Sequence, residues 1–279
     1  MSFHTYRRSH GGLIHLILCL ASMPFNAVAE DARFKFELYD EHAVVVKGNI
    51  RGVPVSMLID TGSIDTILDA STSKRLGVET YDNVTIALLN GTRTGRKALL
   101  DYELGSLSFT QAVVVTDLSE ISSVLGITIN LILGYNSLCR HQSLHVDYDI
   151  QQLTFGEGPG DCGSALPIVP AKVPGRSAPI HLLVDTGNKG LLLFGVPGDY
   201  GFVASAKRTS RDPGKIASVF GTIRAISLQD TVLANQEAYL IQRPRSVPAL
   251  IDGFLGGGAL GLRSLRINFR TQTVDLTFR

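Results

Sequence analysis

The chain lacks an excess of charge of either sign, and this excludes whole classes of partner. Its 279 residues include 26 Lys and Arg against 25 Asp and Glu, which leaves a net charge of +1. No basic stripe with interleaved aromatic residues and no run of like charges disturbs this balance. Nucleic acids and anionic membranes attract proteins with a surplus of cations, so we expect neither as a partner.

The sequence lacks the residues that several kinds of catalytic centre require. The histidines are scattered and share no ligand spacing, and the 3 cysteines do not lie near such a histidine, so no metal site is expected. The glycine-rich stretch 256–262 has no lysine and therefore does not resemble a phosphate-binding loop. Ser63 is not surrounded by the motif of a serine hydrolase. We therefore expect a protein without metal or cofactor.

Long hydrophobic runs are also missing, and one short run lies near the N-terminus. A basic segment with Arg7 and Arg8 precedes this run, and the small residues Ala27 and Ala29 follow it. This order is typical of a cleavable signal peptide, so we assign residues 1–29 to one and predict a periplasmic or extracellular protein. The run is short for a membrane span, so we expect no stable span after cleavage, with an uncleaved anchor as the alternative.

Two cysteines, Cys139 and Cys162, lie beyond the predicted signal peptide. An even pair in an oxidising compartment allows a disulfide. The sequence does not place their Cβ atoms within bonding reach, so a bridge and two separate small apolar residues both stay open.

An apolar run ends in an acid, a hydroxyl and a glycine at two places in the chain. These two motifs are Asp60-Thr61-Gly62-Ser63 and Asp185-Thr186-Gly187-Asn188.

An element of two apolar residues and a glycine follows each motif at nearly the same distance. Gly134 lies 74 positions after Asp60, and Gly256 lies 71 positions after Asp185. Each element is followed by two alternating segments that a polar turn joins. Similar patterns in the same order and at matched spacing predict the duplication of one structural unit.

The rest of the sequence is typical of β-strands. β-branched residues crowd short alternating runs, which Gly, Asn and Pro separate, with turns predicted at 47–49 and 51–52. Only two short helices are predicted, at 71–76 and 136–141. The Gly-rich segment 156–165 is the predicted linker between the two halves.

The residue types in the two motifs suit a pair of cooperating acids. In each motif the glycine permits close approach of the backbone, and the threonine hydroxyl of Thr61 or Thr186 can bond to the facing loop. The polar side chains of Ser63 and Asn188 can bond the carboxylate of their own loop. The residues expected to support the two loops are therefore Thr61, Gly62 and Ser63 in the first motif and Thr186, Gly187 and Asn188 in the second.

A pseudo-twofold arrangement would make Asp60 and Asp185 close neighbours. Two carboxyl groups in contact hold one proton between them, because one pKa falls and the other rises. The charged member can take a proton from an attacking water while the protonated member hydrogen-bonds the carbonyl oxygen of an amide. The alternative is two solvated acids in ordinary turns, but their position inside a repeat favours the catalytic interpretation.

The chain resembles aspartic proteases of the retropepsin and pepsin clan, and most closely bacterial secreted retropepsin-like proteins with two aspartate units in one chain. The likeness covers nearly all of residues 40–279. It is carried by the two Asp-Thr-Gly motifs together with Ile132-Leu133-Gly134 and Phe254-Leu255-Gly256.

This resemblance implies an all-β, bilobal acid-protease fold with a cleft between two pseudo-symmetric retropepsin-like β lobes. We place the lobes at residues 30–160 and 161–279 of one monomeric chain. The implied activity is that of an aspartic endopeptidase that acts on a peptide or protein substrate.

The resemblance also implies a hairpin flap between the aspartate and the glycine element of each half. Asn90 and Gly91 are the candidates in the first half, and Phe220 and Gly221 in the second, with Gly221 near the hairpin tip. Two ordinary surface hairpins are the alternative. Neither hairpin carries the tyrosine of a pepsin flap.

Two other interpretations of the sequence stay open. The same cleft would serve a non-catalytic module of the cell envelope that binds peptides or proteins without cutting them. Alternatively, each half of the chain pairs with a half of another molecule to complete the site.

Overall fold

The computed structural model describes residues 31–279 apart from Asn90, 164–165, 211–217 and Ala259. The predicted signal peptide 1–29 lies outside the described residues. Within the described part, no helix is long and apolar enough to cross a membrane.

The first half of the chain consists of short strands with three short helices. In chain order they are β1 (Ala32–Lys35), β2 (Glu37–Tyr39), β3 (Ala43–Ile50), β4 (Val53–Ile59), β5 (Ile67–Asp69), α1 (Ala70–Arg75), β6 (Thr80–Leu88), β7 (Gly91–Leu104), β8 (Leu107–Thr116), α2 (Ser119–Leu125), β9 (Leu131–Leu133), α3 (Tyr135–Leu138), β10 (His141–Asp147) and β11 (Gln152–Pro159).

In the described part of the second half, this pattern is repeated with one single-turn 3-10 helix in place of the α-helices. Its elements are β12 (Ile168–Lys172), β13 (Ile180–Asp185), β14 (Leu191–Phe194), the 3-10 turn (Pro197–Asp199), β15 (Phe202–Ser210), β16 (Ser218–Leu228), β17 (Thr231–Ile241), β18 (Gly253–Gly256), β19 (Leu262–Asn268) and β20 (Thr273–Phe278).

Each half folds into a six-stranded barrel with the same strand connections. The first barrel has the order β3-β4-β9-β5-β8-β7, and the pairing of β3 with β7 closes it. The second has the order β12-β13-β18-β14-β17-β16, and β12 pairs with β16. One more strand extends each barrel at the equivalent place, β6 beside β7 and β15 beside β16. The predicted all-β, bilobal acid-protease fold is confirmed, while the exact lobe boundary at 160/161 stays a prediction.

A third sheet joins the two lobes. Its order is β1-β11-β10-β19-β20, and β10 of the first half pairs antiparallel with β19 of the second. The hairpins β10–β11 and β19–β20 are the two alternating segments that follow each glycine element in the sequence. The lobes therefore share backbone hydrogen bonds as well as side-chain contacts.

Alternating side chains fill the interior of the barrels. Along β7, Ala98, Leu100, Tyr102 and Leu104 are buried, whereas the residues between them are exposed. Side chains from both barrels and from the joining sheet belong to one continuous apolar core. This burial is the main favourable contribution to folding.

The sequence predicts two of the three helices. α1 lies close to the predicted 71–76, and its N-cap is Asp69, whose carboxylate accepts the N–H of Thr72 at 2.9 Å. α3 ends at Leu138, earlier than predicted, because β10 begins at His141. α2 follows no predicted signal, and it covers the small apolar cluster around Leu118 and Ile129.

The predicted turn at 47–49 is wrong, and the predicted turn at 51–52 is confirmed. Gly48 lies within β3, where a Cβ would lie 2.5 Å from the carbonyl oxygen of Glu103. The glycine therefore permits the close crossing of β3 and β7. Arg51 and Gly52 have φ angles of 51° and 75° and connect β3 to β4.

Cys139 and Cys162 form a disulfide, with their Cα atoms 5.0 Å apart. This settles the alternatives that the sequence leaves open. The bridge attaches the end of α3 to the connection between β11 and β12, which is the connection between the two lobes.

Candidate active site

Asp60 and Asp185 lie at equivalent places in the two barrels. β4 runs parallel to β9, and Asp60 follows directly, with its N–H donating to the carbonyl oxygen of Leu133 at 3.0 Å. β13 runs parallel to β18, where Asp185 lies opposite Gly256. Each glycine element therefore fixes the backbone of the aspartate in its own lobe.

The glycines of these elements are required by close packing against the aspartate loops. A Cβ on Gly134 would lie 2.2 Å from the carbonyl oxygen of Asp65, and a Cβ on Gly256 would lie 2.2 Å from that of Asn188. No side chain fits in either place. The first loop is also held by the N–H of Tyr135, which donates to the carbonyl oxygen of Ser63 at 2.7 Å.

Thr61 and Thr186 interlock the two loops. Thr61 Oγ1 donates to the carbonyl oxygen of Val184 at 2.7 Å and accepts the N–H of Thr186 at 3.1 Å. Thr186 Oγ1 donates to the carbonyl oxygen of Ile59 at 2.8 Å and accepts the N–H of Thr61 at 3.1 Å. Both threonines are buried, so water does not compete for these bonds and the loops keep one relative position.

This reciprocal arrangement brings the two carboxyl groups together. A Cβ on Gly62 would lie 2.3 Å from Cγ of Asp185, and a Cβ on Gly187 would lie 2.6 Å from Cγ of Asp60. The two carboxyl groups are close enough for each to change the pKa of the other. Each glycine therefore leaves the space that the opposite carboxyl group occupies.

Burial makes both carboxyl groups harder to ionise, and the charge of Asp60 adds to this effect at Asp185. Burial raises the pKa of Asp60, although its Oδ1 accepts the N–H groups of Gly62 at 2.9 Å and Ser63 at 3.0 Å. Burial and then the charge of Asp60 raise the pKa of Asp185 well above the usual aspartate range, although the backbone N–H groups of Gly187, at 3.0 Å, and of Asn188 lower it. The pair therefore keeps a proton at pH values where an exposed aspartate has lost it.

The side chains of Ser63 and Asn188 do not bond the carboxylates, contrary to the prediction. Ser63 Oγ donates to the carbonyl oxygen of Asp65 at 2.8 Å, and Asn188 Nδ2 donates to that of Gly190 at 2.8 Å. Each polar side chain therefore closes the turn of its own loop, while the backbone supplies the donors to the carboxylate.

The first candidate flap is a hairpin whose tip carries Gly91. β6 and β7 pair antiparallel with Leu88 opposite Gly91, whereas Asn90 lies outside the described residues. The carbonyl oxygen of Leu88 accepts a hydrogen bond from Ser246 Oγ of the second lobe at 3.3 Å. Leu89 packs against an apolar cluster of that lobe. The tip therefore reaches from one lobe to the other.

The prediction that Gly221 lies near a hairpin tip is wrong. Phe220 and Gly221 lie inside β16, and Gly221 is opposite Ala204 of β15 and Ala238 of β17. A Cβ on Gly221 would lie 2.3 Å from the carbonyl oxygen of Val203, so close strand packing requires the glycine. The connection between β15 and β16 falls on 211–217, which lie outside the described residues.

A buried polar network behind the first aspartate loop escapes sequence reasoning. Thr66 Oγ1 accepts the N–H of Gly134 at 3.2 Å and also bonds Ser137 Oγ, which in turn hydrogen-bonds the hydroxyl of Tyr102 at 2.7 Å. Burial raises the pKa of Tyr102 to about 12. These residues come from three separate segments, so their side chains meet only in the folded barrel.

An ion pair connects the second aspartate loop to the first lobe. Lys189 follows the second motif directly, and its Nζ donates to Asp40 Oδ1 at 2.6 Å. Asp40 and Glu41 have φ angles of 46° and 63°, a region that costs energy for residues other than glycine. The strained turn is therefore held against the second lobe by this contact.

The geometry of the site agrees with a comparison to known families. Residues 46–137, within the first half, match the family model described as aspartyl protease. A comparison with curated proteins gave no match. The predicted resemblance to aspartic proteases of the retropepsin and pepsin clan is confirmed, and the match supports a protease-like function.

Proposed function

We propose that the protein is an aspartic endopeptidase that hydrolyses peptide bonds with a water molecule activated by Asp60 and Asp185. The observation that carries this proposal is the contact between the two carboxyl groups, each held by a loop that is interlocked with the other. The match to the aspartyl protease family supports the same class of enzyme.

The two aspartates have different roles in this mechanism. Asp185 holds the shared proton, because burial and the neighbouring charge both oppose its ionisation, and Asp60 carries the charge, with two backbone N–H groups directed at its Oδ1. Asp60 takes a proton from water as the water oxygen bonds to the carbonyl carbon. Asp185 gives its proton to the carbonyl oxygen, which relieves the charge that develops there. The tetrahedral intermediate then collapses: one of its hydroxyl groups returns a proton to Asp185, the C–N bond breaks, and the amine nitrogen leaves with the proton that Asp60 received.

We also propose that the protein acts outside the cytoplasm, on peptides or proteins, as a monomer. The signal-like segment at 1–29 supports export. The Cys139–Cys162 disulfide is typical of oxidising compartments.

The test is cleavage of a peptide library by the purified protein, followed by mass spectrometry. Asp60→Asn and Asp185→Asn should each lower the rate by about 10²–10⁴-fold, because each removes one partner in proton transfer. Asp65→Asn is the matched control, since Asp65 lies exposed in the same loop, and it should cleave like the unchanged protein. Pepstatin should protect the library.

Cleavage that survives both substitutions would disprove the assignment of the two aspartates. A protein that cuts no peptide, but binds peptides equally well with both acids replaced, would instead be the non-catalytic binding module.

A further inference from the structure

A groove of about 650 Å³ lies on the first lobe, apart from the aspartate pair. Residues of α1, β6, β7 and β8 form its walls, and neither aspartate loop contributes a described lining residue. This volume is within the usual range for ligand sites, about 300–1,000 Å³. The proposed peptidase mechanism makes no use of it.

Arg96 presents a fixed positive charge to this groove. The pairing of β6 with β7 shifts register between Thr80 and Asn83. The carbonyl oxygens at this bulge face Arg96, whose Nε donates to Tyr81 at 3.2 Å and whose Nη2 donates to Thr80 at 3.1 Å. No carboxylate pairs with Arg96 among the described residues. The guanidinium is therefore oriented by the backbone while its charge is unmatched.

Lys74 also lines the groove and adds a second unmatched cation. It lies in the last turn of α1, and its Nζ has no hydrogen-bond or ion-pair partner in the described part of the chain. Arg93 also lines the groove, but it is matched by Glu120 at 3.2 Å and by the carbonyl oxygen of Asp117 at 2.8 Å. The side chain of Asp117 accepts the N–H of Ser119 at 2.8 Å.

The remaining lining suits an extended chain. Val78 and Val115, both largely buried, form the apolar part of the lining, and Asn83 supplies an exposed polar group beside them. β6 is the last strand of its sheet, so its outer edge has no partner strand among the described residues. A free strand edge offers backbone donors and acceptors to a peptide.

We infer that this groove is a binding site for an acidic peptide segment. Carboxylates of the segment pair with Lys74 and Arg96, its apolar side chains contact Val78 and Val115, and its backbone follows the edge of β6. The charge-assisted bonds select acidic side chains, and the strand edge selects a peptide over a small anion. Binding at this groove does not require that the protein cleaves peptides.

The test is fluorescence anisotropy with a labelled Glu-Val-Glu-Val-Glu peptide and its Gln-Val-Gln-Val-Gln counterpart, at low salt. The full chain carries Asp185→Asn, so that cleavage does not complicate the binding curves. We expect the Glu peptide to bind at least tenfold more tightly than the Gln peptide, and added salt to reduce the difference.

Adding Lys74→Gln and Arg96→Gln together should weaken binding of the Glu peptide at least tenfold while the protein keeps a cooperative melting transition. The control is Lys172→Gln, which removes an exposed lysine on β12 of the other lobe and should leave binding unchanged. Equal binding of the two peptides, equal binding by the double variant, no measurable binding, or displacement by inorganic phosphate at comparable concentration would each overturn the proposal. These outcomes are independent of the cleavage assay, so the two proposals fail separately.

Discussion

The carboxyl group of each aspartate occupies the space beside the glycine of the opposite motif. Because the contact is reciprocal, a change at Gly62 acts on Asp185 and a change at Gly187 acts on Asp60. The threonines between them are buried and bond across the same boundary. A substitution in one loop is therefore expected to disturb the aspartate of the other lobe.

Asp185→Asn should stabilise the protein at neutral pH. The raised pKa of Asp185 means that the folded state holds a proton that the unfolded state releases, so stability falls as pH rises above about 4, the usual aspartate pKa. The variant has no carboxyl group at position 185, so its stability does not fall with pH for this reason. We expect a higher melting temperature than that of the unchanged protein at pH 7, with a difference that shrinks toward pH 4.

Thermal unfolding across this pH range measures the effect, with the exposed Asp65→Asn as the control. An Asp185→Asn variant that is less stable than the unchanged protein at pH 7, or a difference that does not depend on pH, would contradict the assignment of a half-buried, protonated Asp185.

Gly62→Ala should reduce both stability and cleavage. The added Cβ would lie 2.3 Å from Cγ of Asp185, so the loops must separate, at a cost of about 1–3 kcal/mol. Gly190→Ala is the control in the second loop, because a Cβ there would meet nothing within 4 Å. Equal unfolding temperatures and equal cleavage rates for the two variants would show that the loops do not meet as described.

Sequence reasoning works for residues whose role is set by the chain next to them. The acid, hydroxyl and glycine at the end of an apolar run predict where Asp60 and Asp185 lie, since the repeat supplies both copies. Prediction from the sequence fails where the role of a residue depends on a contact with a residue that is distant along the chain. Gly48 and Gly221 are predicted in turns, but both lie inside strands. Glycine is required at these positions because a carbonyl oxygen of another strand is too close for a Cβ.

The two barrels share their strand order but differ in the helices and side-chain contacts around the strands. The alternating segments after each glycine element predict the hairpins of the joining sheet. α2 is not predicted, since only the apolar cluster that it covers explains its position. The Tyr102 network is likewise invisible in the sequence, because its members are distant along the chain.

The disulfide is the element-scale feature with the largest expected effect on stability. It closes a loop between cysteines 23 positions apart. Cys162→Ser should lower the free energy of unfolding by about 2–4 kcal/mol, because the unfolded chain gains freedom. Cys162 is exposed, so the substitution itself disturbs little else.

Thermal unfolding with and without a reducing agent checks this prediction. The reducing agent should lower the melting temperature of the unchanged protein to that of Cys162→Ser and leave the variant unaffected. A melting temperature that the reducing agent does not change would mean that the bridge is absent in solution.

At the scale of the whole molecule, one chain supplies both aspartates. Strands of both halves share the sheet around the β10–β19 pair, and the threonine bonds join the loops within the same molecule. We therefore predict that the active species is a monomer. Sedimentation of the purified protein should show one species with the mass of a single chain, which is 30.1 kDa before the predicted signal peptide is removed. Cleavage of peptides should follow that species, whereas activity confined to a dimer would favour pairing between molecules.

The two carboxyl groups are expected to share one proton, and carboxyl ¹³C NMR of labelled aspartates detects the protonation state of each. Spectra of Asp60→Asn and Asp185→Asn assign the two signals. The prediction is that the Asp185 signal stays that of a protonated carboxyl group well above pH 4 while Asp60 is ionised. Two signals that titrate together near the pH of an exposed aspartate would contradict it.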